Sequence, residues 1–174
     1  MRELVVTETL AAGSYSKTWQ QVFPSSQLPK LIVMTMVRND AFTGTPKYNP
    51  FHFQHFGVNH IQLRVNSKSI PSSEGYKPMG WTTNKFLHEY KTLESIGVGE
   101  HGISPLQYAN GQFFMVWNLC PDYIIDGAVE PHRAGVVSLE IVFGTALGQP
   151  INIIMYAQFD NTLQIMKDKD LICD

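Results

Sequence analysis

The sequence predicts an all-β fold, an antiparallel β-sandwich with one short inserted helix. Three observations favour it: extended apolar segments recur along the chain, turn residues separate them, and helical periodicity is confined to one stretch. Proline residues fall in the connections between these segments, where the missing backbone N–H costs a sheet nothing: Pro71, Pro78, Pro105, Pro121, Pro131 and Pro150. Many strands separated by turn signals are typical of a sandwich or a barrel.

Two segments in the first quarter of the chain have the character of strands. Glu3 to Leu10 alternates moderately between polar and apolar residues. Leu31 to Val37 (LIVMTMV) is apolar at nearly every position, as in a strand that is covered on both faces. We therefore expect the second segment to lie between two covering layers.

The stretch from Arg38 to Pro71 is the most informative part of the chain. Within it, Ile61, Leu63 and Val65 fall on one side of an extended chain, and the polar residues between them fall on the other. This period of two predicts a strand with one buried face, and Asn66 to Ser69 then turn the chain. The preceding loop is rich in Gly, Pro and Asn and carries five aromatic residues, which we expect to pack against the body of the domain: Phe42, Tyr48, Phe51, Phe53 and Phe56.

One stretch has helical periodicity. Between Thr82 and Ile96, the residues Phe86, Tyr90 and Leu93 recur at helical spacing together with Leu87, and Gly97 is a natural stop. This pattern predicts a surface helix inserted between strands, which leaves the all-β class unchanged.

Three further strands complete the predicted set: Gln112 to Leu119, Val136 to Phe143, and Ile151 to Phe159. The first is apolar on both faces, and the last has apolar residues at every second position. The predicted core takes its members from all the central strands: Leu31, Val33, Val37, Ile61, Leu63, Phe113, Met115, Trp117, Leu139, Ile141, Ile153 and Met155.

Composition limits the domain count and the class of partner. The 174 residues suit one domain over positions 1–174. Only 16% of the residues are charged and 44% are hydrophobic, which allows a large core and leaves some apolar surface to face partners. The net charge of −2 and the 13 scattered Lys and Arg residues do not supply the clustered positive charge that phosphate neutralisation needs. We expect no binding of nucleic acid.

Cysteine content and targeting signals indicate the compartment. Only Cys120 and Cys173 are present, so the fold is expected to have no disulfide framework. The sequence contains no signal peptide, no apolar run of about 18 residues and no Asn-x-Ser/Thr sequon. We expect the chain to be made and kept in the cytosol or nucleus, without contact to a membrane.

Two motifs have the residue types of a binding site but the wrong context. The segment from Gly97 to Gly102 matches GxGxxG, yet it follows a predicted helix instead of a strand, so no βαβ unit orients it toward a dinucleotide. His52, His55 and His60 could in principle hold Zn²⁺, but their spacing lacks the i, i+4 register of a zincin. We therefore predict no cofactor, no stoichiometric zinc and no dinucleotide, and assign the histidines to packing or hydrogen bonding.

Nucleophiles and paired acids give no catalytic prediction. The chain has no G-x-S-x-G elbow, and Cys120 lacks an activating partner in the sequence, so a structural thiol is the preferred interpretation. Asp122 and Asp126 lie in a turn-like region, and we interpret Asp168 to Asp170 as a polar segment that follows the last predicted strand. We predict no catalytic residue and no enzymatic activity.

Five segments together resemble a known family. The order NDAFTG, NPFHFQHF, NHIQLRVNSKSIP, YANGQFFMVWNLCPD and INIIMYAQFDNTLQI, between about Gly13 and Leu171, is similar to the C-terminal half of the major capsid proteins of Maverick/Polinton elements and adintoviruses. The resemblance implies a jelly roll. Those capsid proteins carry two jelly rolls, and this chain has the length of one. It is either an isolated C-terminal domain or the product of a gene that retains only that half.

The resemblance also implies a structural role. Capsid proteins of this type form pseudo-hexagonal trimers, so we expect this chain to self-assemble through its flanks and loops, with itself as a trimer and with other capsid proteins. The implied location is the virion for a viral source, and the cytosol or nucleus for a recruited host gene. The candidate interface comprises aromatic residues that the element order places outside the core: Phe42, Tyr48, Phe51, Phe53, Phe56, Trp81 and Tyr108.

Two other functions remain open at the level of sequence. A jelly roll also serves as a binding module for receptors or carbohydrates, and fold does not decide between these uses. A metal-dependent enzyme of the cupin type needs ligands on facing strands, and the predicted strands contain almost no histidine beyond His60.

Overall fold

Eight strands form two four-stranded antiparallel sheets in the computed structural model, which describes residues 2–24, 26–78, 86–96, 102–120, 133–160, 163–165 and 171–173. In chain order the strands are β1 Arg2–Leu10, β2 Ser16–Trp19, β3 Leu31–Arg38, β4 Val58–Val65, β5 Lys68–Ile70, β6 Met115–Asn118, β7 Val137–Phe143 and β8 Ile151–Phe159. A separate two-stranded sheet joins β9 Leu163–Ile165 and β10 Leu171–Cys173.

The two sheets are built by nested pairing. The first sheet has the order β1-β8-β3-β6, and the second has the order β2-β7-β4-β5. The first strand therefore pairs with the eighth, the second with the seventh, the third with the sixth and the fourth with the fifth. A chain that pairs in this way is one long hairpin rolled up around a core, which is the jelly-roll form of a β-sandwich. The predicted fold class is confirmed.

The strand bounds follow the apolar patterns closely where a strand is long. β8 has the predicted limits, and β1 and β7 differ from the prediction by one residue at one end. β6 is shorter than predicted, because only Met115–Asn118 pairs with β3 and the preceding residues form part of a loop. At the β4–β5 hairpin, Asn66 and Ser67 both have positive φ (49° and 67°), which is typical of a two-residue type I′ turn. The chain is therefore extended again at Lys68, inside the predicted turn.

The predicted helix is present in part and lies deeper than expected. Residues 82–85 fall outside the described residues; after them come one α-helical turn, α2 Leu87–Tyr90, and a 3₁₀ helix over Lys91–Ile96. Phe86 and Leu93 are buried. The Oγ1 atom of Thr92 accepts a hydrogen bond of 3.2 Å from the backbone N–H of Val116, so this segment covers the outer edge of β6. Two further single-turn helices were not predicted: α1 Asn39–Phe42 and α3 Pro105–Ala109.

The core between the sheets contains most of the predicted residues. Nine of them are buried there: Ile61, Leu63, Phe113, Met115, Trp117, Leu139, Ile141, Ile153 and Met155. Val37 is also buried, but it alternates with Met36 and so lies on the opposite face of β3, together with Leu31 and Val33. The prediction was wrong for Leu31 and Val33, which are only half-buried, whereas Ile32 and Met34 are fully buried. β3 is apolar on both faces, so its residue pattern does not tell which face points inward.

Candidate interaction surface

Four connections meet at one end of the sandwich, and we call this end the loop end. β1 and β8 pair at Leu10 and Ile151, and Arg38 at the end of β3 also pairs with Ile151. The described parts of the connections at this end are residues 11–15, 39–57, 71–78, 86–96, 102–114 and 144–150. At the opposite end the described residues are 20–24, 26–30, the turn at Asn66 and Ser67, 119–120 and 133–136. The topology thus gathers α3 and residues 39–57, which we call the aromatic loop, at the same end.

The first part of the aromatic loop is held by Arg38. Its Nε and Nη2 atoms donate hydrogen bonds of 3.0 and 2.7 Å to the two carboxylate oxygens of Asp40. The guanidinium group also lies over the ring of Tyr48, 4.0 Å from its centroid. The hydrogen bond from Arg38 is the main cause that lowers the pKa of Asp40, and the same bond raises the pKa of Arg38. Tyr48 is consequently fixed as a half-buried ring, while Phe42 stays exposed.

The second part of the aromatic loop is held by backbone hydrogen bonds. The N–H of Phe53 donates to the carbonyl of Gly111 at 2.9 Å, and the N–H of Gln54 donates to the carbonyl of Met36 at 2.9 Å. The Phe53 ring packs edge-on against Phe114 with centroids 5.0 Å apart. Phe53 is therefore an anchor that joins this loop to the segment after α3.

His55 fixes the end of the same loop. Its Nδ1 atom accepts a 2.9 Å hydrogen bond from the N–H of Gly57. Phe56 and Gly57 both have positive φ (48° and 67°), a backbone conformation that costs a residue with a large side chain such as Phe free energy. The hydrogen bond to His55 stabilises this turn. Burial alone lowers the pKa of His55 to about 4, which keeps the ring neutral and able to accept this bond at neutral pH.

Tyr108 lies inside the molecule, so the expectation that it lies outside the core is wrong. It is fully buried, its ring stacks on Phe86 with centroids 5.6 Å apart, and it meets Tyr90 edge-on at 5.4 Å. Burial raises the pKa of its hydroxyl well above the ordinary value. The reason is helical phase: α3 begins with a capping box at Ser104, and its turn directs Tyr108 inward and leaves Leu106 outward.

Five large apolar side chains are exposed in the connections of the loop end: Phe51 is 75% exposed, Leu106 72%, Tyr15 63%, Leu87 53% and Phe42 46%. Leu87 belongs to α2, in the segment that covers the edge of β6. Of the aromatic residues predicted to form an interface, Phe42 and Phe51 are exposed, Tyr48, Phe53 and Phe56 are half-buried, and Trp81 lies outside the described residues. Tyr15 and Leu106 were not singled out from the sequence. We call Tyr15, Phe42, Phe51 and Leu106 the apolar loop surface.

The histidines do not converge on one point. His52 and His55 line a pocket of about 290 Å³ with Gln54 and Asn110, while the Nε2 atom of His60 lies 3.1 Å from the carbonyl oxygen of Glu74. Within the described residues, no group of three His, Cys, Asp or Glu side chains lies close enough to hold a metal ion.

The remaining candidate chemistry lies elsewhere or outside the described residues. Cys120 is buried at the end opposite the loop end and lines a pocket of about 90 Å³, beside a Lys30–Asp160 ion pair of 2.8 Å. Asp122, Asp126 and most of the Gly97–Gly102 motif lie outside the described residues. The described helices are too short for any of them to span a lipid bilayer.

Comparison with known proteins finds similarity in structure only. No family model matches the chain, and no curated protein matches it in sequence. A chain in the cryo-EM structure of the Sputnik virophage superposes with a TM-score of 0.51 at 10% identity, over 99% of this chain and 37% of that chain. The major capsid protein P2 from bacteriophage PM2 gives a TM-score of 0.38 at 10% identity, over 91% of this chain and 44% of that chain. This chain thus spans little more than a third of the virophage chain and shares its fold, the antiparallel jelly-roll sandwich.

Proposed function

We propose that this chain is a structural jelly-roll protein of the capsid type, which self-assembles through its loop end and its flanks and has no catalytic activity. The observation that carries the proposal is the apolar loop surface on an eight-stranded jelly roll: four large apolar side chains between 46% and 75% exposed at one end. The proposal is that these side chains, which lie on connections at the same end of the sandwich, are covered by a partner on assembly.

The source and the assembly state follow from the resemblance. The five matching segments support an origin in a Maverick/Polinton element or an adintovirus, with residues 1–174 as one of two jelly rolls. By that analogy the assembly is a homo-trimer that associates with other capsid proteins in a virion. A recruited host gene would instead keep the product in the cytosol or nucleus. Closed cyclic symmetry is the physical reason to expect an oligomer of defined size.

The construction of the loop end supports its use as a contact surface. The exposed Phe51 belongs to a loop whose next residues are fixed to Gly111 and Met36 by backbone hydrogen bonds of 2.9 Å. Leu106 projects from α3, whose capping box fixes the start of the helix. Ordering a loop during association costs conformational entropy. Side chains that are fixed before association avoid this cost, so more of the free energy gained by burying them contributes to binding.

Sedimentation velocity of the purified chain across the micromolar range tests the proposal. We expect concentration-dependent association that the double substitution Phe51→Ser/Leu106→Ser weakens at least tenfold. The matched control is Val136→Ser, because Val136 is 46% exposed at the opposite end of the sandwich. A wild-type chain that stays monomeric at every concentration would overturn the proposal. If Val136→Ser weakens association equally, the loop end is not the contact surface.

A second candidate is a binding module for carbohydrate or a receptor. The pocket of about 290 Å³ lined by His52, Gln54 and Asn110 favours it, because polar groups beside the half-buried ring of Phe56, which also lines the pocket, suit a sugar. A glycan array separates the two: saturable binding to a defined glycan by a monomeric chain, lost on Asn110→Ala, would support the module, and the absence of any bound glycan would count against it.

A further inference from the structure

We propose that β1 is a self-complementary interface, through which two copies of this chain pair edge to edge about a two-fold axis at Val5. The inference rests on the proposed function and adds a second contact to it: a two-fold pairing joins two copies that belong to different trimers, and the contacts inside a homo-trimer use other residues. It would join the first sheets of the two copies into one continuous sheet of eight strands.

β1 has a long edge that no described element occupies. It pairs over all nine residues with β8 on one side and is the terminal strand of its sheet. The other described edges are short or covered: β2 has four residues, β5 has three, and Thr92 caps the edge of β6 at Val116. Proteins ordinarily shorten, cover or charge the edges of their sheets, because an open edge pairs with another chain.

Strand geometry restricts the registers that a two-fold axis allows. An axis that relates two antiparallel edge strands stands perpendicular to the sheet, so inward-facing residues must oppose inward-facing residues. Along β1 the less exposed residues are Leu4, Val6, Glu8 and Leu10, and the exposed ones alternate with them. Two residues that face each other across the axis therefore both have even numbers or both have odd numbers. In each permitted register, the axis passes beside one residue, which faces the same residue of the second copy.

One of these registers matches charge with charge and apolar with apolar. With Val5 at the centre, Arg2 faces Glu8 of the second copy, Leu4 faces Val6, and Glu3 faces Thr7. Moving the centre to Val6 puts Leu4 against Glu8 and leaves Arg2 against Leu10. Opposite charges on directly opposed strand positions stabilise a sheet, and a charge against an apolar side chain does not.

Exposure and electrostatics at the centre are consistent with this register. Val5 is 57% exposed in the middle of the strand, and pairing would cover it with its own copy. Glu8 forms an ion pair with Lys17 of β2 across the flank. Arg2 of the second copy would add a second cation on the other side of the same carboxylate.

Cysteine cross-linking in the full chain tests the register. Val5→Cys, made in a Cys173→Ser background, places two thiols opposite each other at the axis, within reach of a disulfide. Thr7→Cys is the matched control, because it lies on the same face of the same strand but about four residues from its copy in the proposed register. We expect mild oxidation to convert Val5→Cys into covalent dimer and to leave Thr7→Cys and the parent chain uncrosslinked. A Val5→Cys chain that gives no more dimer than Thr7→Cys would overturn the inference.

Charge substitution measures the contact without a cross-link. Val5→Lys sets two ammonium groups against each other and should raise the dissociation constant of the dimer at least tenfold, whereas Thr7→Lys faces Glu3 and should leave it unchanged or lower it. Both positions are exposed, so circular dichroism and thermal unfolding should match the parent. Association that survives Val5→Lys at full strength would refute the β1 contact and leave the proposed function standing. A chain that is monomeric throughout would refute both.

Discussion

Ile153 and Ile154 offer a direct test of the sandwich, because they are neighbours on the central strand β8 and face opposite sides of its sheet. Ile153 is fully buried between the sheets, and Ile154 is half-buried on the outer face. Each is to be replaced by Ala in turn. The two variants remove the same atoms from adjacent positions, so any difference between them reports which face of β8 is the inner one.

The expected magnitudes follow from burial. Shortening Ile to Ala removes three carbon atoms, and a buried methylene is worth about 0.8 kcal/mol, so the transfer contribution is roughly 2.4 kcal/mol for a fully buried side chain. The cavity that remains brings the loss for Ile153→Ala to about 2 to 5 kcal/mol. Ile154→Ala leaves little cavity because its side chain borders solvent, and the expected loss is about 1 kcal/mol.

Urea and thermal unfolding followed by circular dichroism give the measurement. Ile153→Ala should lower the midpoint temperature by about 10 °C, several times more than Ile154→Ala, since each kcal/mol corresponds to about 2 to 4 °C for a chain of this size. Equal losses, or a larger loss for Ile154→Ala, would refute the assignment of the inner face and with it the register of β8 against β1 and β3.

Two further predictions concern the loop end and the edge of β6. The pKa of His55 is about 4 in the folded state against an ordinary 6.5, so its contribution to stability is complete above pH 6.5 and is lost as the pH falls toward 4. The shift corresponds to about 3 kcal/mol and to about 1 to 2 kcal/mol after allowance for the partial exposure of the ring. His55→Gln should make the unfolding free energy depend less on pH between 6.5 and 4 than it does in the wild type, and His52→Gln is the control for loss of an imidazole. If the plots of unfolding free energy against pH for His55→Gln and the wild type stay parallel, the lowered pKa of His55 is contradicted. At the edge of β6, Thr92→Val should cost about 1 to 3 kcal/mol because the N–H of Val116 loses its acceptor, whereas Thr92→Ser should retain most of the stability; equal losses in urea unfolding would show that the hydroxyl is not the cause.

The sequence predicted the long strands better than the short ones, for a physical reason. β7 and β8 each run long enough for alternation to be recognised, and they lie beside two neighbours each. β2 has four residues with a single large apolar side chain, Trp19, and β5 has three residues inside a stretch that reads as a turn. Such short strands form because β7 and β4 already present hydrogen-bonding edges. They depend on tertiary contacts, so their own residues do not predict them.

For the candidate surface, the sequence predicted the loop but not the exposure of its side chains. A cluster of rings between Gly and Pro residues indicates a packed loop, and Phe42 and Phe51 are exposed there as expected. Tyr108 is buried and Phe53 is an anchor, because their neighbours in space come from distant parts of the chain. Leu106 could have been found from the capping box at Ser104, since helical phase opposes it to Tyr108.

The two proposed contact regions belong to different parts of the fold, and this separation has a consequence for assembly. The apolar loop surface lies at the end of the sandwich where β3 passes into the aromatic loop, whereas Val5 lies midway along the edge of β1. A contact through β1 joins two copies and then closes, because the same strand serves both sides of the two-fold axis. A contact through the loop end uses other residues and stays available after the first has formed. A chain with both can therefore build assemblies larger than a dimer, and removing either contact should stop growth at a different stage: Val5→Lys should leave oligomers that form through the loop end, and Phe51→Ser/Leu106→Ser should leave dimers.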